Sequence, residues 1–115
     1  MIYLHYRMKL APRARQDMKS FWKWLEHRES FFYNDLPMVK EVKWFYSVVG
    51  DVYVIENYAA FDDEAGFGEY RKALSTLKLN DEWESERVSQ DDWWEFLNTR
   101  LLTDPPVNVG FRREA

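Results

Sequence analysis

Val48-Val49-Gly50-Asp51-Val52-Tyr53-Val54-Ile55, two β-branched and aromatic runs joined by Gly-Asp, is the stretch on which the fold turns. A two-residue connection with glycine first suits a type II′ turn, whose twist matches the strands it joins. A β-hairpin is therefore predicted at the centre of the chain. Helical patterns lie on both sides of it, with an alternating stretch at each end. The order becomes strand, helix, hairpin, helix, strand, which is a split βαβ plan (β-α-β-β-α-β), an α+β protein with a four-stranded antiparallel sheet.

Upstream of the hairpin, strand one is predicted over Ile2 to Leu10, with Ile2, Leu4, Tyr6, Met8 and Leu10 on one face and Tyr3, His5, Arg7 and Lys9 on the other. Ala11-Pro12 stops the strand and can open a helix. One helix is expected from about Arg13 to Asp35, with Met18, Phe21, Trp22, Leu25, Phe32 and Leu36 as its buried stripe and Pro37 as its end. Strand two, Val39 to Val49, sets Val42, Trp44, Tyr46 and Val48 against Glu41, Lys43, Phe45, Ser47 and Val49. Strand three, Val52 to about Ala60, alternates Val52, Val54, Glu56 and Tyr58 with Tyr53, Ile55, Asn57 and Ala59. Tyr3, His5, Arg7, Phe45, Ser47, Tyr53, Ile55 and Asn57 are assigned together to the face away from the helices.

Downstream, Asp62 is the expected N-cap of a second helix whose core stripe is Phe67, Tyr70, Leu74 and Leu77. Asn80-Asp81-Glu82-Trp83 opens a short further piece, and Ser89-Gln90-Asp91-Asp92 fits a capping box for a third containing Trp93, Trp94 and Leu97. The last strand is either Thr99-Thr103 or Val107-Phe111.

The 115 residues suit one domain spanning residues 1–115. Cysteine is absent, so no disulfide, thiolate metal site or cysteine nucleophile exists. The N-terminal residues alternate rather than forming an apolar h-region, and no run approaches a membrane span, so a cytoplasmic protein without membrane association is expected. A net charge of −4 argues against nucleic-acid binding. Aromatic residues at 18% exceed what one core of this size needs, and together with the two-sided hairpin they point to a second covered sheet face. A homodimer is the expected cover, through Phe45, Val49, Tyr53 and Ile55.

Several short motifs resemble the dimeric α/β-barrel superfamily, in particular NIPSNAP-like and antibiotic-biosynthesis-monooxygenase-like families. They are Met1-Ile2-Tyr3 at the first strand, Val49-Gly50-Asp51, Glu56-Asn57-Tyr58-Ala59-Ala60-Phe61-Asp62-Asp63, Asn80-Asp81-Glu82-Trp83 and Thr99-Arg100-Leu101-Leu102. The last of these favours Thr99-Thr103 as strand four. Leu4 and Tyr6 stand where the family's first strand usually carries an acid and an arginine. The resemblance implies a ferredoxin-like protomer in a dimeric α/β barrel, with a cavity between sheet and helices. It also implies either a cofactor-independent monooxygenase or isomerase acting on a small aromatic or polyketide-like molecule, or a non-catalytic module that binds a ligand or a protein. Haem-degrading relatives carry a histidine on the second helix, which is absent here, and no cofactor is expected.

Among the chemistry-bearing side chains, His5 can titrate near neutrality and shares a face with Tyr3 and Arg7. His5 and Asn57 are expected to line one cavity as catalytic residues, with Tyr3, Arg7, Tyr53 and Arg100 binding the ligand. The plain alternatives are a half-exposed strand histidine, a strand-end asparagine and a surface arginine. His27 lies in a charged run, and two distant histidines give no metal-ligand spacing. Trp44 or a helix tryptophan is allowed as the wall of a pocket for a planar ligand.

Overall fold

The computed structural model describes residues 1–114, ordered as β1 (Ile2–Leu10), α1 (Pro12–Gln16), α2 (Met18–Phe32), β2 (Glu41–Tyr46), β3 (Val54–Phe61), α3 (Glu64–Leu77), α4 (Asp81–Val88), a 3₁₀ turn (Ser89–Asp92) and β4 (Trp94–Thr103). The sheet order is β2-β3-β1-β4, antiparallel throughout, which is the ferredoxin-like arrangement. Among the described residues no helix is long and apolar enough to cross a membrane.

The hairpin has the expected register and a looser tip. Glu41 lies opposite Ala60 and Tyr46 opposite Ile55, the pairing that a two-residue turn at Gly50-Asp51 would set. The ladder nevertheless gives out after Ser47, whose N–H donates to the Val54 carbonyl at 3.0 Å. Val48 and Val49 are each 90% exposed, so a ribbon extended through them would have no face to bury. Gly50 takes a φ of +96° at the tip, a conformation that suits glycine.

Helix one is broken in two. Asp17 leaves helical geometry between α1 and α2, and its carboxylate accepts from the Ser20 N–H at 3.1 Å and the Ser20 hydroxyl at 2.6 Å. The chain thus gains an N-cap in the middle of what periodicity reads as one helix. Phe21, Leu25, Phe32 and Leu36 are buried as expected, but Trp22 is 39% exposed. Trp24 points inward instead, stacked on Trp93 at 5.4 Å between ring centroids. The stripe is rotated because positions 21, 25, 28 and 32 form the inner line, and position 28 is an arginine.

The second helix begins one residue later than expected, with Asp63 accepting from the Gly66 N–H at 2.8 Å, and Asn80 caps α4 by accepting from Trp83 N–H at 3.0 Å. The third helical piece reduces to the 3₁₀ turn, and β4 starts at Trp94, before the expected Thr99. Val107 to Phe111 is not a strand. Strand β4 carries one extra residue: Arg7 lies opposite Asn98 and Met8 opposite Phe96, leaving Leu97 unpaired in a bulge.

Strand β3 is turned over relative to the expectation. Ile55 lies opposite Met8 and Asn57 opposite Tyr6, so both share the helix-facing side with Ala59 and Phe61. Glu56 and Tyr58 lie opposite Arg7 and His5 on the open face. Tyr53 precedes the strand with a φ of +59°, packs against the core and lies 5.9 Å beneath the Arg15 guanidinium. Ile55 is 1% exposed and Tyr53 is packed away, so neither contributes to an apolar patch on the open face.

Candidate functional site

The expected site residues fall on two sides of the sheet. On the open face, three neighbouring strands bring His5, Glu56 and Arg100 together. His5 Nε2 is 2.6 Å from Glu56 Oε1, and Arg100 Nε donates to His5 Nδ1 at 3.3 Å. An N–H pointed at Nδ1 leaves the proton on Nε2, which donates to the glutamate. The ring stacks on Tyr58 at 4.4 Å and is 1% exposed. Both ring nitrogens are engaged, so His5 has no free lone pair for a substrate proton.

The other open-face residues are also occupied in holding the chain. The Tyr3 hydroxyl donates to Asp104 Oδ1 at 2.8 Å, and the N-terminal ammonium reaches Asp104 Oδ2 at 3.0 Å. This tether, chiefly the Tyr3 hydroxyl, holds the Asp104 carboxyl below the usual aspartate range. Arg7 bonds the Asp51 carboxylate and so fastens the hairpin tip to β1. A shallow hollow of about 600 Å³ lies here, lined by Tyr3, Lys43, Phe45, Glu56 and Tyr58, but the single chain provides no opposite wall.

Asn57 is on the far side, in a cavity of about 180 Å³ between sheet and helices. The shared His5–Asn57 cavity is therefore corrected to two separate environments. Although smaller than the hollow, this cavity has walls from the sheet, α2, α3 and α4. Its aromatic lining includes Trp44, Trp94, Phe32, Tyr33 and Tyr70. Trp44 thus takes the wall position allowed for it; Trp94 does so from β4 rather than from a helix.

Arg28 supplies the site's inner charge. Its side chain is 13% exposed, donates to Glu29 Oε1 at 3.0 Å and Gln90 Oε1 at 3.3 Å, and lies 4.2 Å from the Phe32 ring centre and 5.2 Å from that of Trp94. Burial pushes the Glu29 carboxyl up, opposed by neighbouring Trp44 and Arg28. Burial likewise raises the phenols of Tyr6, Tyr33 and Tyr70, which stay protonated at neutral pH. Arg28 and Asn57 oppose the effect at Tyr33, although neither reaches normal hydrogen-bond geometry with it.

Three buried donors on this wall, Trp44 Nε1, Asn57 Nδ2 and Trp94 Nε1, have no hydrogen-bond partner among the described residues. Trp44 stands near Glu29 but outside bonding geometry. Each unmet donor costs about 1–3 kcal/mol. Arg28 could have been found from sequence, because it interrupts an apolar stripe at helical spacing; nothing local marks Gln90 or Trp94.

The fold is shared with proteins of the NIPSNAP family and with an oxygenase. A NIPSNAP family protein of unknown function from Agrobacterium tumefaciens is 19% identical, with 89% of this chain and 86% of that one aligned at a TM-score of 0.66. An uncharacterised NIPSNAP domain protein from Burkholderia xenovorans is 10% identical over 96% of this chain and 100% of that one, at 0.68. SnoaB, a cofactor-independent oxygenase from Streptomyces nogalater, is 16% identical over 92% and 94%, at 0.62. No family model and no curated protein matches the sequence. At these identities the likeness defines an architecture, and function must be argued from the site.

Proposed function

We propose that the protein binds a small aromatic molecule in the cavity between sheet and helices. The observation that carries this is the lining itself: flat indole, phenyl and phenol walls, with no histidine or carboxylate among the lining residues. Such a cavity is equipped to hold a ring and orient its oxygens. Its walls bring no histidine or carboxylate to take a proton from carbon, and His5 is on the other face. Native mass spectrometry of protein purified from its own host should show a retained low-mass aromatic compound. Repeated recovery of ligand-free protein, with no aromatic compound binding the purified chain, would overturn the reading.

The likeness to SnoaB favours a second reading, a cofactor-independent monooxygenase or isomerase acting on a substrate acidic enough to ionise on binding. The N–H groups of the wall would then stabilise the oxygen on which negative charge develops. Oxygen uptake on adding the retained compound supports oxygenation, and its rearrangement without uptake supports isomerisation. Unchanged compound returns the protein to the binding role.

The open sheet face belongs to the same proposal. Phe45 is 52% exposed there, beside Tyr58 and the His5 cluster, and a second copy would close the hollow. Sedimentation velocity at micromolar concentration should give a dimer; a stable monomer would refute it.

A further inference from the structure

We infer that the cavity's ligand is a monocyclic anion, a carboxylate, phenolate or enolate on a single ring, whose oxygens take up the unpartnered N–H groups of Trp44, Asn57 and Trp94 beside the Arg28 guanidinium. This rests on the reading of the cavity as a ligand site and adds the chemical class.

Three independent observations meet here. The first is the placement of the donors. Trp44 and Asn57 are directly opposite each other across β2 and β3, and the Trp44 and Trp94 rings are 5.7 Å apart. All three nitrogens are buried, Trp44 Nε1 near Glu29 and Asn57 Nδ2 near Tyr33 but outside bonding geometry, and an ionised oxygen brought beside them accepts several N–H bonds at once. The fourth orphan donor, the Trp83 indole, borders a different hollow.

The second observation is the sign of the charge. The chain carries a net charge of −4, yet the charged residues lining this cavity are Arg28, Lys78 and Arg87, all cationic. The carboxylates paired with the two arginines, Glu29 and Glu84, are not part of the lining. An anionic ring would meet N–H groups and cations, and no lining carboxylate would repel it.

The third is size. A cavity of about 150 Å³ is known to admit benzene. The 180 Å³ here suits one ring with a small substituent better than three fused rings.

Benzoate and its neutral isostere benzamide provide the test, titrated into the intact protein by calorimetry and by following the indole N–H resonances. Benzoate should bind more than about tenfold tighter than benzamide. It should also move the Trp44 and Trp94 indole signals downfield while leaving Trp83 in place. Arg28→Lys should keep part of that preference and Arg28→Met should abolish it, each checked for a native circular dichroism spectrum. Equal affinity for the two probes, tighter binding of a tricyclic anthrone, or benzoate binding that moves neither indole overturns the inference and leaves the cavity a ligand site. If neither probe binds at millimolar concentration the inference also fails. The broader reading then stands or falls on the native mass spectrum.

Discussion

Phe21 and Trp22 are adjacent on α2 and should respond to truncation by very different amounts. Phe21 is 0% exposed and sits among Trp24, Trp93 and Trp94, with centroids 6.0, 6.0 and 6.3 Å away. Rigid indoles cannot easily collapse into the space of a lost phenyl ring. Phe21→Ala should therefore cost about 4 kcal/mol, in the middle of the range for buried aromatic truncations. That is a large part of the roughly 5–15 kcal/mol that stabilises a domain. With an unfolding entropy of about 2.1 cal/mol/K per residue, the melting temperature should fall by roughly 15 °C. Trp22, at 39% exposure, keeps much of its surface in water, and Trp22→Ala should cost about 1 kcal/mol. Urea titrations followed by far-ultraviolet circular dichroism avoid the loss of a fluorophore, and unchanged slopes would show that stability alone has moved. Costs that agree within about 1 kcal/mol, or come in the reverse order, would mean that the inner line of α2 does not run through Phe21.

Other outcomes follow from the same structure. The depressed Asp104 carboxyl contributes stability that is present above the ordinary aspartate range and lost as pH falls through its lowered folded value. Asp104→Asn should remove that part of the acid sensitivity, read as the pH dependence of the urea midpoint; an unchanged profile would exclude the tether to Tyr3. Gly50→Ala should cost about 1 kcal/mol from its φ of +96°, with the chemical-shift changes confined to residues 48–53. Ile55→Asp should unfold the chain, because that side chain is in the core, whereas Tyr58→Asp should give folded monomer in sedimentation. A folded Ile55→Asp dimer would contradict the orientation of β3.

The sequence carried the element order because each boundary had a local cause: Pro12 after strand one, Gly50 at the hairpin, Asn80 before α4. What escaped it depended on relations between strands. The Gly50-Asp51 turn already implies Trp44 opposite Asn57 and Phe45 opposite Glu56. Following that pairing across the hairpin would have put Asn57 on Trp44's helix-facing side. Strand three taken alone is ambiguous, since both of its alternating sets mix apolar and polar residues, and a one-residue change exchanges the faces. The half of strand four before Thr99 was hidden for a related reason. The bulge at Leu97 breaks the alternation of its helix-facing residues Trp94, Phe96, Thr99 and Leu101, while Trp93, Phe96, Leu97 and Leu101 fall at steps of three, one and four that suit a helix. The cavity was expected as a place in the fold, but its charge was not, because Arg28 matters only once α2 is rotated to bring it inside.

The bulge in β4 also makes one residue of the strand dispensable. Removing a residue from a paired strand ordinarily turns over everything on one side of the cut. Removing Leu97 would leave Asn98 opposite Arg7 and Phe96 opposite Met8, with every side chain on its present face. The opposite change, drawing Leu97 into the ladder at full length, would rotate Trp94 and Phe96 outward and carry Glu95 in. A carboxylate would then stand on a wall that has none. One unpaired residue, 42% exposed and making no contribution to the site itself, thus keeps the charge of the cavity positive.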